Sequence, residues 1–189
     1  MSYLCPDACA PAPTETALIV PVAGAERLIA DFRDRYDPAA GWGVPAHVTV
    51  LYPFAEPSAI SGRMLTTLET VFQSVSEFNC QFDRTNWFAD DVLWLGPQPA
   101  APFRRLTAAV VQAFPEYPPY RGVHDDVVPH PTVGERRLAG LSALQSAEQV
   151  VRPGLPIAAH VERVVLIAGT HAANSWRPVH QFTLGRTTE

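Results

Sequence analysis

Two hydrophobic periods run along this chain, and they follow one another in an order that repeats. Residues 16–22, TALIVPV, form a short apolar run ended by proline and glycine, the pattern of a strand. Over 24–37, Leu28, Ile29, Phe32 and Tyr36 recur at helical spacing, and Pro38 marks the stop. Residues 46–54, AHVTVLYPF, read as a buried strand. Its Val48 and Val50 face one way and His47 and Thr49 the other. Ile60, Met64, Leu65, Leu68, Val71, Phe72 and Val75 then make one helical stripe, with Pro57 placed in its first turn. Residues 78–88, FNCQFDRTNWF, predict the next strand.

The order then recurs. Residues 91–97 predict a strand, and Phe103, Leu106, Val110 and Phe114 one face of a helix. A proline-rich loop over 116–129 leads to a second strand, HPTVG, at 130–134. Leu138, Leu141 and Leu144 mark a helix over 136–151, and residues 156–170 and 177–186 complete the chain as strands. Each half is thus strand, helix, His-x-Thr strand, helix, strand. The duplication lies in element order, not in residue identity. It predicts an α+β, bilobal duplicated fold: two antiparallel-rich sheets flanked by helices around a central cleft. Residues 1–13, rich in proline and alanine, are expected to be a flexible N-terminal segment, with 14–189 a single bilobal domain.

Composition narrows the function. The chain has 189 residues, 47% of them hydrophobic, which suits a folded core. No run of about 18 apolar residues predicts a membrane span. The first residues lack the basic start and apolar core of a secretory signal, and the odd count of three cysteines argues against a disulfide framework. A cytoplasmic setting is expected. The net charge is −5, and the only adjacent basic residues are Arg104-Arg105 and Arg136-Arg137. That excludes an extended nucleic-acid surface and leaves a short RNA end or a small nucleotide as the expected substrate. A monomer is expected. All 14 basic residues are arginine, so no mechanism can use a lysine nucleophile or a phosphate-loop lysine.

The chemistry concentrates in the paired His-x-Thr strands. Side chains at i and i+2 share a face, so His47 projects with Thr49 and His130 with Thr132. Across a cleft, the two pairs would offer two imidazoles and two hydroxyls to one ligand. That set suits a phosphodiester. One histidine takes a proton from the attacking oxygen, and the other gives one to the leaving oxygen. The threonines hydrogen-bond the non-bridging oxygens as charge develops. Neither metal nor cofactor is required. The alternative is that each histidine is a satisfied core residue.

Paired His-x-Thr motifs in a duplicated α+β chain of this length resemble the 2H phosphoesterase superfamily, and within it the bacterial 2′-5′ RNA ligase / cyclic phosphodiesterase-like branch. HVTVLYPF, HPTV and the closing WRPVHQFTLGR carry the resemblance from about residue 16 onward. It implies a bilobal fold and metal-independent work on cyclic phosphates or 2′-5′ linkages, with His47, Thr49, His130 and Thr132 in the catalytic positions. It further implies His47 as the acid and His130 as the base. The expected reaction is hydrolysis of a 2′,3′-cyclic phosphate to a 2′-phosphate, with reversible 2′-5′ ligation as a second activity of the same site. The alternatives are a 2H enzyme for another phosphoester, such as an ADP-ribose cyclic phosphate or a cyclic oligonucleotide, and a nucleotide-binding module without turnover. The chain departs from the better-known RNA-processing members at one position. Five residues after the second histidine, where they carry arginine, it has Glu135, with Arg136 next.

Tyr52 and Phe54, close to the first motif, are the candidate stacking surface for a base, with Trp87, Phe88 and Trp94 less favoured. Arg136 is the candidate phosphate ligand among the arginines. His124-Asp125-Asp126 and Cys5-x3-Cys9 lack further ligands at metal spacing, so no metal site is expected. His160, His171 and His180 have no Thr or Ser two residues on and are read as structural.

Overall fold

The computed structural model describes residues 12–123 and 127–186. The Cys5/Cys9 pair, His124-Asp125-Asp126 and nearly all of the N-terminal segment therefore lie outside the described residues. The elements are β1 (Glu15–Pro21), α1 (Ala23–Tyr36), α2 (Pro38–Gly41), β2 (His47–Leu51), α3 (Gly62–Gln73), β3 (Phe78–Phe88), β4 (Val92–Gln98), α4 (Ala101–Ala113), β5 (Thr132–Glu135), α5 (Arg136–Ala139), α6 (Leu141–Val151), β6 (Ile157–Val161), β7 (Arg163–Gly169) and β8 (Arg177–Thr183). They build two four-stranded antiparallel sheets, ordered β2-β1-β7-β8 and β5-β4-β3-β6. The α+β fold with two antiparallel sheets is as the repeated pattern predicted.

The halves are interwoven rather than stacked side by side. β3, from the first half, pairs with β4 and β6, whereas β7 and β8 join the first sheet. Helices cross as well. α1 packs on β5 and β6 of the second sheet, and α3 and α4 pack on β8 and β2 of the first. One hydrophobic core serves both sheets. Leu18, Val48, Val50 and Leu166 of the first meet the same cluster as Phe82, Leu93, Leu95 and Val133 of the second.

Local sequence explains where elements differ from expectation. The apolar run at 156–170 is two strands, not one: it breaks at Glu162, with β6 in the second sheet and β7 in the first. The helix expected at 136–151 breaks at Gly140, whose φ of 75° no helical residue adopts. Pro57 begins a separate 3-10 turn, and α3 starts at Gly62 behind Ser61, whose hydroxyl accepts from the Met64 amide at 3.2 Å. Among the described residues, no helix is long and apolar enough to cross a membrane.

Candidate functional site

β2 and β5 are edge strands of different sheets; β2 carries the whole first motif, whereas β5 starts at Thr132, so the strand expected from residue 130 is shorter and His130 lies two residues ahead of it. β2 is held from behind: Val48 and Val50 are fully buried, and the Thr107 hydroxyl of α4 donates to the Val50 carbonyl at 2.8 Å. With that face buried, His47 and Thr49 are turned to the opposite side. There a second, smaller apolar cluster of Ala17, Ile19, Val44, Val165, Ile167 and Trp176 covers the first sheet. This cluster floors a cleft of about 260 Å³. His47, Thr49, Tyr52, Tyr120, Thr132, Glu135 and Arg137 are among the residues that wall it. β5 is anchored by fully buried Val133 and by pairing of Thr132 with Trp94. His130 lies against Phe88 and Trp94, with ring centroids 4.8 and 5.4 Å away.

Both histidines are latched alike. His47 Nδ1 lies 2.7 Å from the Pro45 carbonyl oxygen, and His130 Nδ1 lies 2.6 Å from that of Val128. A carbonyl only accepts, so each Nδ1 carries the proton and each neutral ring keeps its lone pair on Nε2. The rings are close enough for a charge on His130 to disfavour one on His47. Burial in the cleft is the largest influence on His47 and pushes its pKa down to about 4. The hydrogen bond to Pro45 opposes this shift, and Arg33 and His130 add to it. Burial also lowers His130, against its bond to Val128 and the nearby Asp37 carboxylate.

The latch on His47 rests on a buried charge network that sequence reading missed. Arg33, only 2% exposed, donates to Asp37 Oδ2 at 2.9 Å, to Glu26 Oε2 at 3.2 Å and to the Val44 carbonyl at 3.0 Å. Glu26 in turn accepts from the Ala46 amide, directly before His47. Asp37 also caps α2 by accepting from the Ala39 amide at 3.0 Å. No signal in the sequence distinguishes Arg33 from a solvated arginine on an amphipathic helix. Its burial follows from α1 crossing to the second sheet.

The structure brings His47, Thr49, Tyr52 and Thr132 to one cleft and His130 beside it. It places two expected ligand residues elsewhere. Phe54 is 5% exposed and packs edge-on to Phe114 and Tyr117 in the main core, so it does not face the cleft. Arg136 lies 3.9 Å from Asp91 at the surface, and Arg137 lines the cleft instead, bonded to Glu135. The reason is local: β5 ends at Glu135, and α5 then rotates successive side chains away from strand alternation. Trp87 donates to Glu148 and is likewise remote, whereas Phe88 and Trp94 flank His130. Trp42, Tyr120 and Trp176 join the cleft wall unforeseen. His160 and His180 bind Asn79 and Glu69 away from it, and His171 stacks on Trp42 at 4.3 Å and meets Glu15 at 3.2 Å. Among the described residues, no group of three His, Cys, Asp or Glu is placed to hold a metal ion.

Both motif histidines are latched through Nδ1 to a backbone carbonyl two residues upstream, and the threonines of both motifs line the cleft. The profile of the 2′-5′ RNA ligase superfamily matches residues 20–172, and the chain belongs to that superfamily. No curated protein matches it by sequence. In fold it is similar to Escherichia coli LigT complexed with 3′-AMP (18% identity, TM-score 0.55, covering 91% of this chain and 98% of that one). It is likewise similar to TT0787 of Thermus thermophilus (15% identity, TM-score 0.58, covering 92% and 100%) and to a structure described as a phosphoesterase (18%, TM-score 0.58, covering 92% and 99%).

Proposed function

We propose that this protein is a metal-independent cyclic phosphodiesterase. It opens a 2′,3′-cyclic phosphate, at a short RNA end or on a small nucleotide, to a 2′-phosphate. His47, Thr49, His130 and Thr132 carry the reaction, and attack on the same ring by a 5′-hydroxyl in place of water, with the 3′ oxygen leaving, would give 2′-5′ ligation. The observation that carries the reading is the identical Nδ1 latch on both histidines, which leaves two Nε2 atoms for proton transfer on either side of one ligand. Water attacks phosphorus as one imidazole takes its proton, and the bond to the 3′ oxygen breaks as the other protonates it. The threonine hydroxyls donate to the non-bridging oxygens. The apolar floor suits a ribose and base, and the volume suits about one nucleotide. The complex of E. coli LigT with 3′-AMP supports a nucleotide as ligand class.

Both rings favour the neutral form in the free cleft, so the acid's proton arrives with the substrate. A phosphodiester anion between the imidazoles raises both pKa values. Before binding, Arg33 disfavours and Glu26 favours a proton on His47, and Asp37 favours one on His130.

A second substrate reading, a phosphoester other than an RNA end, is favoured by the charges at the cleft. Arg137 on its wall is bonded to Glu135. This arginine is matched by a carboxylate, which disfavours a ligand bearing extra phosphates.

The test is turnover of 2′,3′-cyclic AMP, and of a short RNA ending in a 2′,3′-cyclic phosphate, in the presence of EDTA. The wild type should release 2′-phosphates, and His47→Ala and His130→Ala should each lose about two to four orders of magnitude in kcat. Wild-type rates in both variants would remove the histidines from catalysis. Tight nucleotide binding without product would make the protein a sensor, and activity on one substrate alone would choose between RNA end and small nucleotide.

A further inference from the structure

His47 and His130 are latched to the backbone alike but carried differently. His47 lies within β2, where the pleat fixes the direction of its side chain. His130 lies two residues ahead of β5, outside the strand. Its bond from Nδ1 to the Val128 carbonyl fixes one atom of the ring and leaves the ring plane free to rock about it. The Nε2 lone pair lies in that plane, so the tilt of the ring decides whether Nε2 meets a ligand.

Two aromatic rings set the tilt. Phe88 stands nearly at right angles to the His130 ring, at 79° and 4.8 Å, and Trp94 crosses it at 53° and 5.4 Å. The two stack on each other at 4.9 Å and 27°, so they form one wall. Trp94 is buried on β4, where it pairs with Thr132. Phe88 ends β3 at the tip of the hairpin to β4 and is half-buried. That turn is tight: Ala89 follows in the left-handed region at φ 47°, and the Asp91 amide returns to the Phe88 carbonyl at 3.0 Å. Among the described residues, neither ring belongs to the apolar clusters that hold the sheets together. Their contact with His130 is therefore not a by-product of core packing. The wall also keeps water from one side of the imidazole. Burial is the largest influence lowering the His130 pKa, and Asp37 and His47 are the charged or titratable groups near it. We propose that Phe88 is a positioning residue for the reaction: with Trp94 behind it, its ring fixes the plane of His130 and so aims Nε2 at the ligand. This rests on the reading of His130 as a proton carrier.

The experiment compares wild type with Phe88→Ala, which removes the ring, and Phe88→Tyr, which keeps it. It measures kcat and KM on 2′,3′-cyclic AMP, thermal unfolding, and the titration of the His130 imidazole by NMR, its signal assigned by its loss in His130→Ala. Phe88→Ala should lower kcat about ten- to a hundredfold, the usual cost of a misplaced reacting group, with KM within about twofold. Its His130 should titrate at higher pH than in the wild type, because water reaches the freed face. Phe88→Tyr should hold kcat within about threefold and keep the wild-type titration. A raised KM at unchanged kcat would make Phe88 a stacking surface for the base and overturn the proposal. An unmoved His130 titration, a loss that Phe88→Tyr shares, or a loss explained by protein unfolded at the assay temperature would each overturn it as well. If the wild type turns over no cyclic phosphate, the functional reading fails by itself. The titration then decides on Phe88: a His130 shifted by Phe88→Ala and restored by Phe88→Tyr upholds the wall, and an unshifted one refutes it.

Discussion

Arg33 and Asp37, one turn apart at the end of α1, form an ion pair 2.9 Å long, with side chains 2% and 5% exposed. This pair joins the two motifs. Through Arg33 and Glu26 it holds the backbone at Val44 and Ala46 that leads into His47, and α1 itself packs on β5, which carries Thr132. Loss of one partner strands a buried charge at a cost of about 3–5 kcal/mol. Arg33→Met should therefore lower the unfolding free energy by about that amount in urea titrations at neutral pH. A change below about 1 kcal/mol would mean the pair contributes no more than an exposed one.

The half-buried histidines make folding sensitive to acid. The folded pKa of His47, about 4, lies below its ordinary 6.5, so the unfolded chain binds that proton first as pH falls. The stabilisation is complete above pH 6.5 and is lost progressively between 6.5 and about 4. Its size is up to about 3 kcal/mol. His130, also lowered by burial, acts in the same direction. Urea midpoints across this range should fall more steeply for wild type than for His47→Gln. Parallel curves would show that His47 is solvated like an ordinary histidine.

β5 lies so close to α1 that a side chain at Gly134 has no room. A Cβ there would come within 2.7 Å of Tyr36 Cβ and 2.9 Å of Leu144 Cδ2. Gly134→Ala should destabilise by about 1–3 kcal/mol through overpacking. It should also reduce turnover more than the stability loss explains, because Thr132 shares the displaced strand. A variant with wild-type stability and rate would show that the α1–β5 contact yields without moving the site.

Arg136 and Arg137 are adjacent and differ in placement. Arg136→Ala removes a surface contact with Asp91 and should leave kcat and KM unchanged. Arg137→Ala should raise KM for an anionic substrate, and Glu135→Gln, which releases Arg137 from its carboxylate, should lower it. Steady-state kinetics of the three variants decides the matter, and the reverse order for Arg136 and Arg137 would restore the residue first favoured.

Local periodicity determined a good deal of this protein. Spacing of two placed His47 with Thr49, because strand side chains alternate; His130 precedes β5, and its packing against Phe88 and Trp94 sets its place. Stripes at 3.6 residues marked α1, α3, α4 and α6, since burial of one face is what makes those helices stable. Breaks within elements were less legible: Gly140 and Glu162 interrupt runs whose hydrophobicity continues across them. Pairing was decided by tertiary structure alone. Nothing within β3 says that it joins β4 and β6, or within β7 that it returns to β1, because strand partners are chosen by a shared core. The same holds for the site's supporting residues. Arg33, Trp42, Tyr120 and Arg137 look like helix or loop residues of ordinary kind. Their roles come from what lies opposite them: a sheet that α1 reaches by crossing over, and a turn bent back upon Tyr52 from 68 residues further along the chain (120 minus 52). Sequence carries the chemistry of each side chain, and only the long-range packing sets which of them meet.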